Sequence, residues 1–204
     1  GLRESEIAVV PPAELDRFVG SETRAVGISS MDPLGIAYVS LTYSELLGLH
    51  SEPNTRTEFR KLLSKKCLRT SKAKIILGGA GAWQIENGSL RESFGIDCVV
   101  LGEAEKVATQ VFSKALNGEE LPPVVYAEEP RVEEISTVRH ASIHGCVEIS
   151  RGCGRNCQFC AATVRARRFI PLPKIIEEVK VNVIEGGRMI IFSTEDLFLY
   201  DSKP

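Results

Sequence analysis

Short apolar runs alternate with amphipathic stretches between Ala25 and about Gly118. Ala25-Val-Gly-Ile-Ser29, Lys74-Ile-Ile-Leu-Gly78 and Ile96-Asp-Cys-Val-Val-Leu101 are brief and bounded by polar or glycine positions, the pattern of buried strands. Phe59, Leu62, Leu63 and Lys66 recur at roughly helical spacing with Lys and Arg outside, predicting a helix over 57–69. Residues 83–94 predict a short or broken helix, with Asn87-Gly88 as the interruption. A clearer helix runs from Glu103 to Leu116 and closes at Asn117-Gly118.

Apolar strands separated by helices imply parallel pairing and helices on both faces. The expected fold class is therefore α/β, with an N-terminal Rossmann-like (flavodoxin-like) sheet over residues 1–125. Ligands of such sheets collect outside the carboxyl ends of the strands. Ser29-Ser30-Met31, Gly78-Gly79 and Gly102-Glu103 fall at those ends and should share one rim, with Asp32-Pro33-Leu34-Gly35 continuing from it as a loop. Residues 126–144 lack a helical stripe and read as a linker. A second unit over 145–204 then starts with a strand at 146–150, a cysteine loop, an amphipathic helix at 174–184 and a strand at 189–193. That is a β-loop-α-β unit, the building block of a (β/α) barrel. Because it stops after two strands and the chain lacks an initiator Met, the expectation is a fragment of a longer protein.

The composition, 43% hydrophobic and 25% charged, excludes a disordered chain. Net charge −2 speaks against a broad basic surface for duplex nucleic acid. No apolar run reaches the ~18 residues of a membrane span, and no signal peptide precedes the first strand, so no membrane role and a cytoplasmic location are expected. Three of the six cysteines, Cys153, Cys157 and Cys160, crowd into eight positions. A disulfide framework spreads its cysteines, so this crowding favours reduced thiols around a metal or cluster. Cys67 and Cys98 read as inert core thiols.

Cys153-Gly-Arg-Asn-Cys157-Gln-Phe-Cys160 has the spacing C-x3-C-x2-C. Three thiolates on a cubane [4Fe–4S] leave one iron open to a further ligand. Gly152 and Gly154 suit backbone that wraps closely, and Arg151 and Arg155 favour thiolate over thiol. Zinc closed by Cys146, His140 or His144 is a chemically valid alternative.

The loop, placed just after a first strand and carrying Phe159 before its third cysteine, resembles the signature of the radical S-adenosylmethionine (SAM) superfamily. The resemblance implies that Cys153, Cys157 and Cys160 hold a [4Fe–4S] cluster whose fourth iron binds SAM. Reductive cleavage of SAM would then generate a 5′-deoxyadenosyl radical, with the electron from an external donor of ferredoxin or flavodoxin type. It further implies that backbone at Phe159 lies near the adenine. Glu195, in Ser193-Thr194-Glu195-Asp196 at the second strand, stands where the family holds the SAM amino group, with Asp196 a weaker candidate.

A parallel α/β domain before such a barrel is similar to the cobalamin-binding-domain subfamily, which includes methyltransferases and methylthiotransferases. Ser29, Gly78, Gly79 and Gly102 take the places of its ligand-facing rim, which implies cobalamin as a candidate cofactor. The Asp-x-His-x-x-Gly motif of base-off cobalamin proteins is missing; Asp16-Arg17-Phe18-Val19-Gly20 lacks the His. Arg165-Ala-Arg167-Arg168 reads as the one basic cluster, an exposed segment that in methylthiotransferase relatives would contact tRNA. Trp83, beside the Gly-Gly turn, reads as a packing residue. The expected activity is radical generation from SAM at the three-cysteine cluster, serving methyl or methylthio transfer. An iron–sulfur electron carrier and a zinc-stabilised binding module are the alternatives.

Overall fold

A computed structural model describes residues 3–48, 52–155, 158 and 166–201. The chain divides into two compact units, Gly1–Glu128 and Glu129–Pro204.

The first unit is α/β, a Rossmann-like (flavodoxin-like) parallel sheet with helices on both faces. Its strands β1 (Ala25–Ser29), β2 (Lys74–Gly78), β3 (Cys98–Leu101) and β4 (Val124–Tyr126) stand side by side in that order, all parallel. Side chains on a strand alternate between faces, and two cores result. Ile75, Leu77, Val99 and Leu101 enter one core, while Ile76, Cys98 and Val100 enter the other. Covered on both faces, β3 is buried throughout.

Helices α1 (Leu15–Phe18), α3 (Asn54–Leu63) and α4 (Lys66–Thr70) place Leu15, Phe59, Leu63 and Leu68 in the first core. The helix expected over 57–69 is broken at Ser64-Lys65. Phe59 and Leu63 are four positions apart and share a face, whereas Leu68 lies five beyond Leu63, about 140° around a continuous helix. The extended backbone at Lys65 restarts the helix so that Leu68 also enters the core. Helix α2 (Tyr38–Leu46) buries none of its residues and so shows no apolar stripe to read. Helix α5 (Gly88–Ser93) is capped by Asn87, whose Oδ1 accepts from Ser89 N at 3.0 Å. Helix α6 (Ala108–Leu116) covers the second core with Val111 and Ala115, and left-handed Gly118 (φ +72°) closes it.

In the second unit, β5 (Cys146–Glu148) pairs in parallel with β8 (Ile191–Ser193). Helix α7 (Leu172–Ile184) lies between them in the sequence. The strand expected at 146–150 is interrupted after Glu148: β6 (Ser150–Arg151) pairs antiparallel with β7 (Arg168–Phe169) instead. Val147, Ile149, Ile170 and Ile175 form the core together with Ile135. Residues 132–142, within the stretch expected as a linker, are tied to α7. Asn182, fully buried, accepts from Ser142 N at 2.8 Å, and Glu178 accepts from Val138 N at 3.2 Å. Burial raises the Glu178 carboxyl above its ordinary pKa.

Candidate functional site

The parallel pairing of β5 with β8 brings Glu148 opposite Ser193, so the segments leaving both strands begin side by side. Ser150 and Thr194 hydroxyls meet at 2.5 Å. Gly152, left-handed at φ +75°, donates its N–H to Glu195 Oε1 at 3.1 Å, and Arg155 pairs with Asp196 at 2.7 Å. Both acidic candidates from the second strand therefore grip the segment that carries Cys153. Arg151 is held by Glu148 through two contacts of 2.8 Å, Nε to Oε1 and a terminal guanidinium nitrogen to Oε2. A two-pronged pair fixes a guanidinium plane.

Cys153 is a free, half-buried thiol, and Arg155 N–H points to its Sγ at 3.5 Å. The Arg151 and Arg155 side chains on either side of it are engaged by Glu148 and Asp196. Gly154, at φ +71°, supplies the second left-handed turn. Cys157, Phe159 and Cys160 lie outside the described residues, as does Arg165. Among the described residues, no group of three His, Cys, Asp or Glu converges on a metal position. His140, a candidate zinc ligand, is placed instead against Glu185 at 2.9 Å. Cys98 is fully buried and Cys67 partly so, and burial is the main cause raising both thiols above their ordinary pKa.

The first unit assembles the rim expected from Ser29, Gly78, Gly79 and Gly102. The register pairs Ser29 with Gly78, and Ser30 N donates to Gly78 O at 3.0 Å. The glycines there serve chain-to-chain approach. A Cβ on Gly79 would meet the backbone N and O of Ser30 at 2.7 Å, and one on Gly102 would meet Ala127 O at 2.7 Å. Gly78, by contrast, has open space at its Cβ position. Open α/β sheets bind ligands in the crevice where strand order reverses. Among the described strands the order runs β1-β2-β3-β4 without reversal. Trp83 packs against the first core.

Sequence reading missed a buried polar network on this rim. Asp32, read there only as part of a loop, accepts from Ile36 N and Ala37 N at 3.0 Å and from Gln84 Nε2 at 2.8 Å, and also takes the Ser40 hydroxyl. An Asp-Pro pair at a strand exit signals a turn, but Gln84 stands 52 positions away and no local pattern connects them.

The two units thus join a parallel α/β sheet to a βαβ element whose first strand leads into a cysteine loop. No protein-family model matches the chain, and no solved structure matches it. Among curated proteins, the chain is distantly and partially similar to "Ribosomal protein uS12 methylthiotransferase RimO". The protein of that name from Phocaeicola vulgatus is 28% identical over 125 residues, 56% of this chain and 28% of that protein. The one from Porphyromonas gingivalis is 32% identical over 77 residues, 37% of this chain and 17% of that protein. The chain spans less than a third of the length of these relatives. No helix among the described residues is long and apolar enough to cross a membrane.

Proposed function

We propose that the chain belongs to a radical SAM enzyme of methylthiotransferase type, comprising its N-terminal α/β unit and the opening βαβ element of its catalytic unit. One observation carries the reading: the segment holding Cys153 is fastened, through Gly152 N and Arg155, to Glu195 and Asp196 at the end of the neighbouring parallel strand. Support also comes from the C-x3-C-x2-C spacing and the partial likeness to uS12 methylthiotransferases.

In this reading Cys153, Cys157 and Cys160 hold a [4Fe–4S] cluster. When bound, it supplies an open iron for SAM and passes on one electron from an external ferredoxin or flavodoxin. The residues of the chain orient and hold. Gly152 and Gly154 let the backbone turn back at Cys153, and Arg155 N–H points at its sulfur. Glu195 keeps one oxygen on Gly152 N and has a second, Oε2, with which to accept from the amino group of SAM. The Asp196–Arg155 pair keeps this acid beside the loop. At the rim of the first unit Gly79 and Gly102 are taken up by close backbone packing, while Gly78 faces open space.

Anaerobic reconstitution with iron and sulfide tests the reading. Four irons and four sulfides per chain, with an electron paramagnetic resonance signal that changes on adding SAM, are expected. Cys157→Ala should abolish the cluster and leave the first unit folded, because its two cores hold no residue of the loop. A cluster blind to SAM would replace the reading with an electron carrier; stoichiometric zinc would replace it with a binding module.

A further inference from the structure

Helix α2 is inverted in polarity. A helix that packs on a core turns large apolar side chains inward and leaves small or polar ones in water. In α2 and the residue before it, the half-buried positions are Ala37, Ser40, Thr42 and Ser44. Ala37, Ser40 and Ser44, three and four positions apart, share one side, and the Ser40 hydroxyl ties that side to the buried carboxylate of Asp32. Tyr38, Val39, Leu41, Tyr43, Leu46 and, just past the last turn, Leu47 are instead 49–77% exposed. Together these six leave roughly 700 Å2 of mainly apolar surface in water, above the about 300–600 Å2 of the largest patch on an ordinary monomer and near the about 800 Å2 that each partner gives to a standard interface.

The charge of the segment narrows what can cover that surface. From Met31 to Gly48 the chain holds no Lys or Arg and two acids, Glu45 and the buried Asp32. A helix lying on a lipid surface carries Lys or Arg on its polar face, and a nucleic acid is held by cations on its phosphates; α2 offers neither. A strongly charged protein would find no opposite charges to pair with. A small apolar ligand wants a concave pocket, and α2 lines neither of two open clefts in the first unit. What remains is a protein surface as apolar and as uncharged as this one.

We propose that a second copy of this chain docks here, α2 against α2 across a two-fold axis. A two-fold dimer brings the same patch of both subunits together, so the patch must tolerate itself. The outward side of α2 does so, because its one charge, Glu45, stands near the C-terminal end rather than at the centre. With the helices antiparallel and the axis at Thr42, the two Glu45 lie three residues to either side, roughly 9 Å apart along the helix direction. The helix dipoles then also oppose each other favourably. Parallel helices would set the two carboxylates side by side. Tyr38 and Tyr43 give the pairing large side chains of low conformational freedom, the kind that anchors interfaces. The proposal uses no residue of the cysteine loop and is independent of the cluster reading.

The test is sedimentation equilibrium of the full chain from about 1 to 100 μM, with reductant present to keep its six cysteines from cross-linking. The parent should reach a dimer within that range. Leu46→Glu should raise the dissociation constant at least about tenfold, and Val39→Ser/Leu46→Ser, which adds no charge, should weaken the dimer as well. Ile184→Ser, at an exposed apolar position of α7 in the second unit, should dimerise as the parent does. Far-UV circular dichroism melts should show every variant folded, since the substituted side chains are exposed. A parent that stays monomeric at 100 μM overturns the proposal. Binding of the apolar dye 1-anilinonaphthalene-8-sulfonate then separates the other occupants: binding lost in Leu46→Glu leaves the face to a different apolar protein, and binding unchanged in Leu46→Glu assigns its cover to another part of this chain. A dimer that Leu46→Glu leaves intact, or that Ile184→Ser dissociates equally, also overturns it, because the copies then meet elsewhere.

Discussion

Asp32→Ala tests whether one buried carboxylate holds the carboxyl rim of the first unit. Asp32 is 9% exposed, and its partner Gln84 is 5% exposed. Gln84 Oε1 accepts in turn from Leu34 N at 2.8 Å, so the two side chains stitch the 32–37 loop to the 82–85 turn. Burial, the largest influence, pushes the Asp32 pKa up, but the donors Ser40, Gln84, Ala37 and Ile36 together outweigh it and hold it below the ordinary value. Truncation leaves the Gln84 amide buried without its acceptor, at about 1–3 kcal/mol. It also strips the N–H groups of Ile36 and Ala37, just ahead of α2, of their acceptor, a loss of about 1 kcal/mol. Some relaxation is expected, so the total should be about 2–4 kcal/mol. Asp32→Asn keeps an oxygen for the same N–H groups and should cost about 1 kcal/mol.

The pH dependence has a definite sign. A carboxyl whose folded pKa is depressed contributes stability above its unfolded pKa of about 3.9, and that stability is lost as pH falls through the folded value. The gap between parent and Asp32→Ala should therefore narrow below about pH 4. Urea unfolding followed by tryptophan fluorescence is the assay, because Trp83 is the sole tryptophan and packs in this unit. At about 1–3 kcal/mol per molar urea, the expected midpoint shift is about 0.7–4 M. A shift equivalent to less than about 0.5 kcal/mol for Asp32→Ala would refute the reasoning, as would Asn and Ala variants of equal stability.

Gly79→Ala should destabilise the first unit by about 2–4 kcal/mol, combining a left-handed φ with overlap against Ser30 backbone. Gly88→Ala, with open space at its Cβ, should instead stabilise it by about 0.4–1 kcal/mol in the same urea assay. Glu178→Gln should raise the thermal midpoint of the second unit at pH 7. Burial raises the folded pKa of Glu178, so the charged form carries a penalty above that pKa; the gain should vanish once pH falls well below the unfolded value of about 4.3, where the acid is neutral in both states.

Most of the sheet was legible because stretches buried on both faces must be apolar, as Ile75, Ile76 and Leu77 of β2 and all of β3 are. The cysteine loop was legible for another reason. Its chemistry depends on spacing within eight consecutive positions, and spacing survives in a bare sequence. Helix α2 and strand β7 were not legible: α2 has no buried face to impose a stripe, and β7 is two residues whose strand character comes only from pairing with β6.

By itself, the sequence determined the α/β alternation, the order of the first three strands along the chain and the crowding of three thiols after a strand. These follow from local rules, where a residue and its near neighbours decide burial or ligation. Tertiary structure alone decided that Glu195 and Asp196 seize the segment carrying Cys153, that Asp32 finds Gln84, and that the space beside Gly79 and Gly102 is filled by neighbouring backbone. Each joins groups separated by some forty to fifty residues, or fills space with chain from another loop. Such contacts depend on strand pairing and loop closure, which no local pattern of polarity encodes.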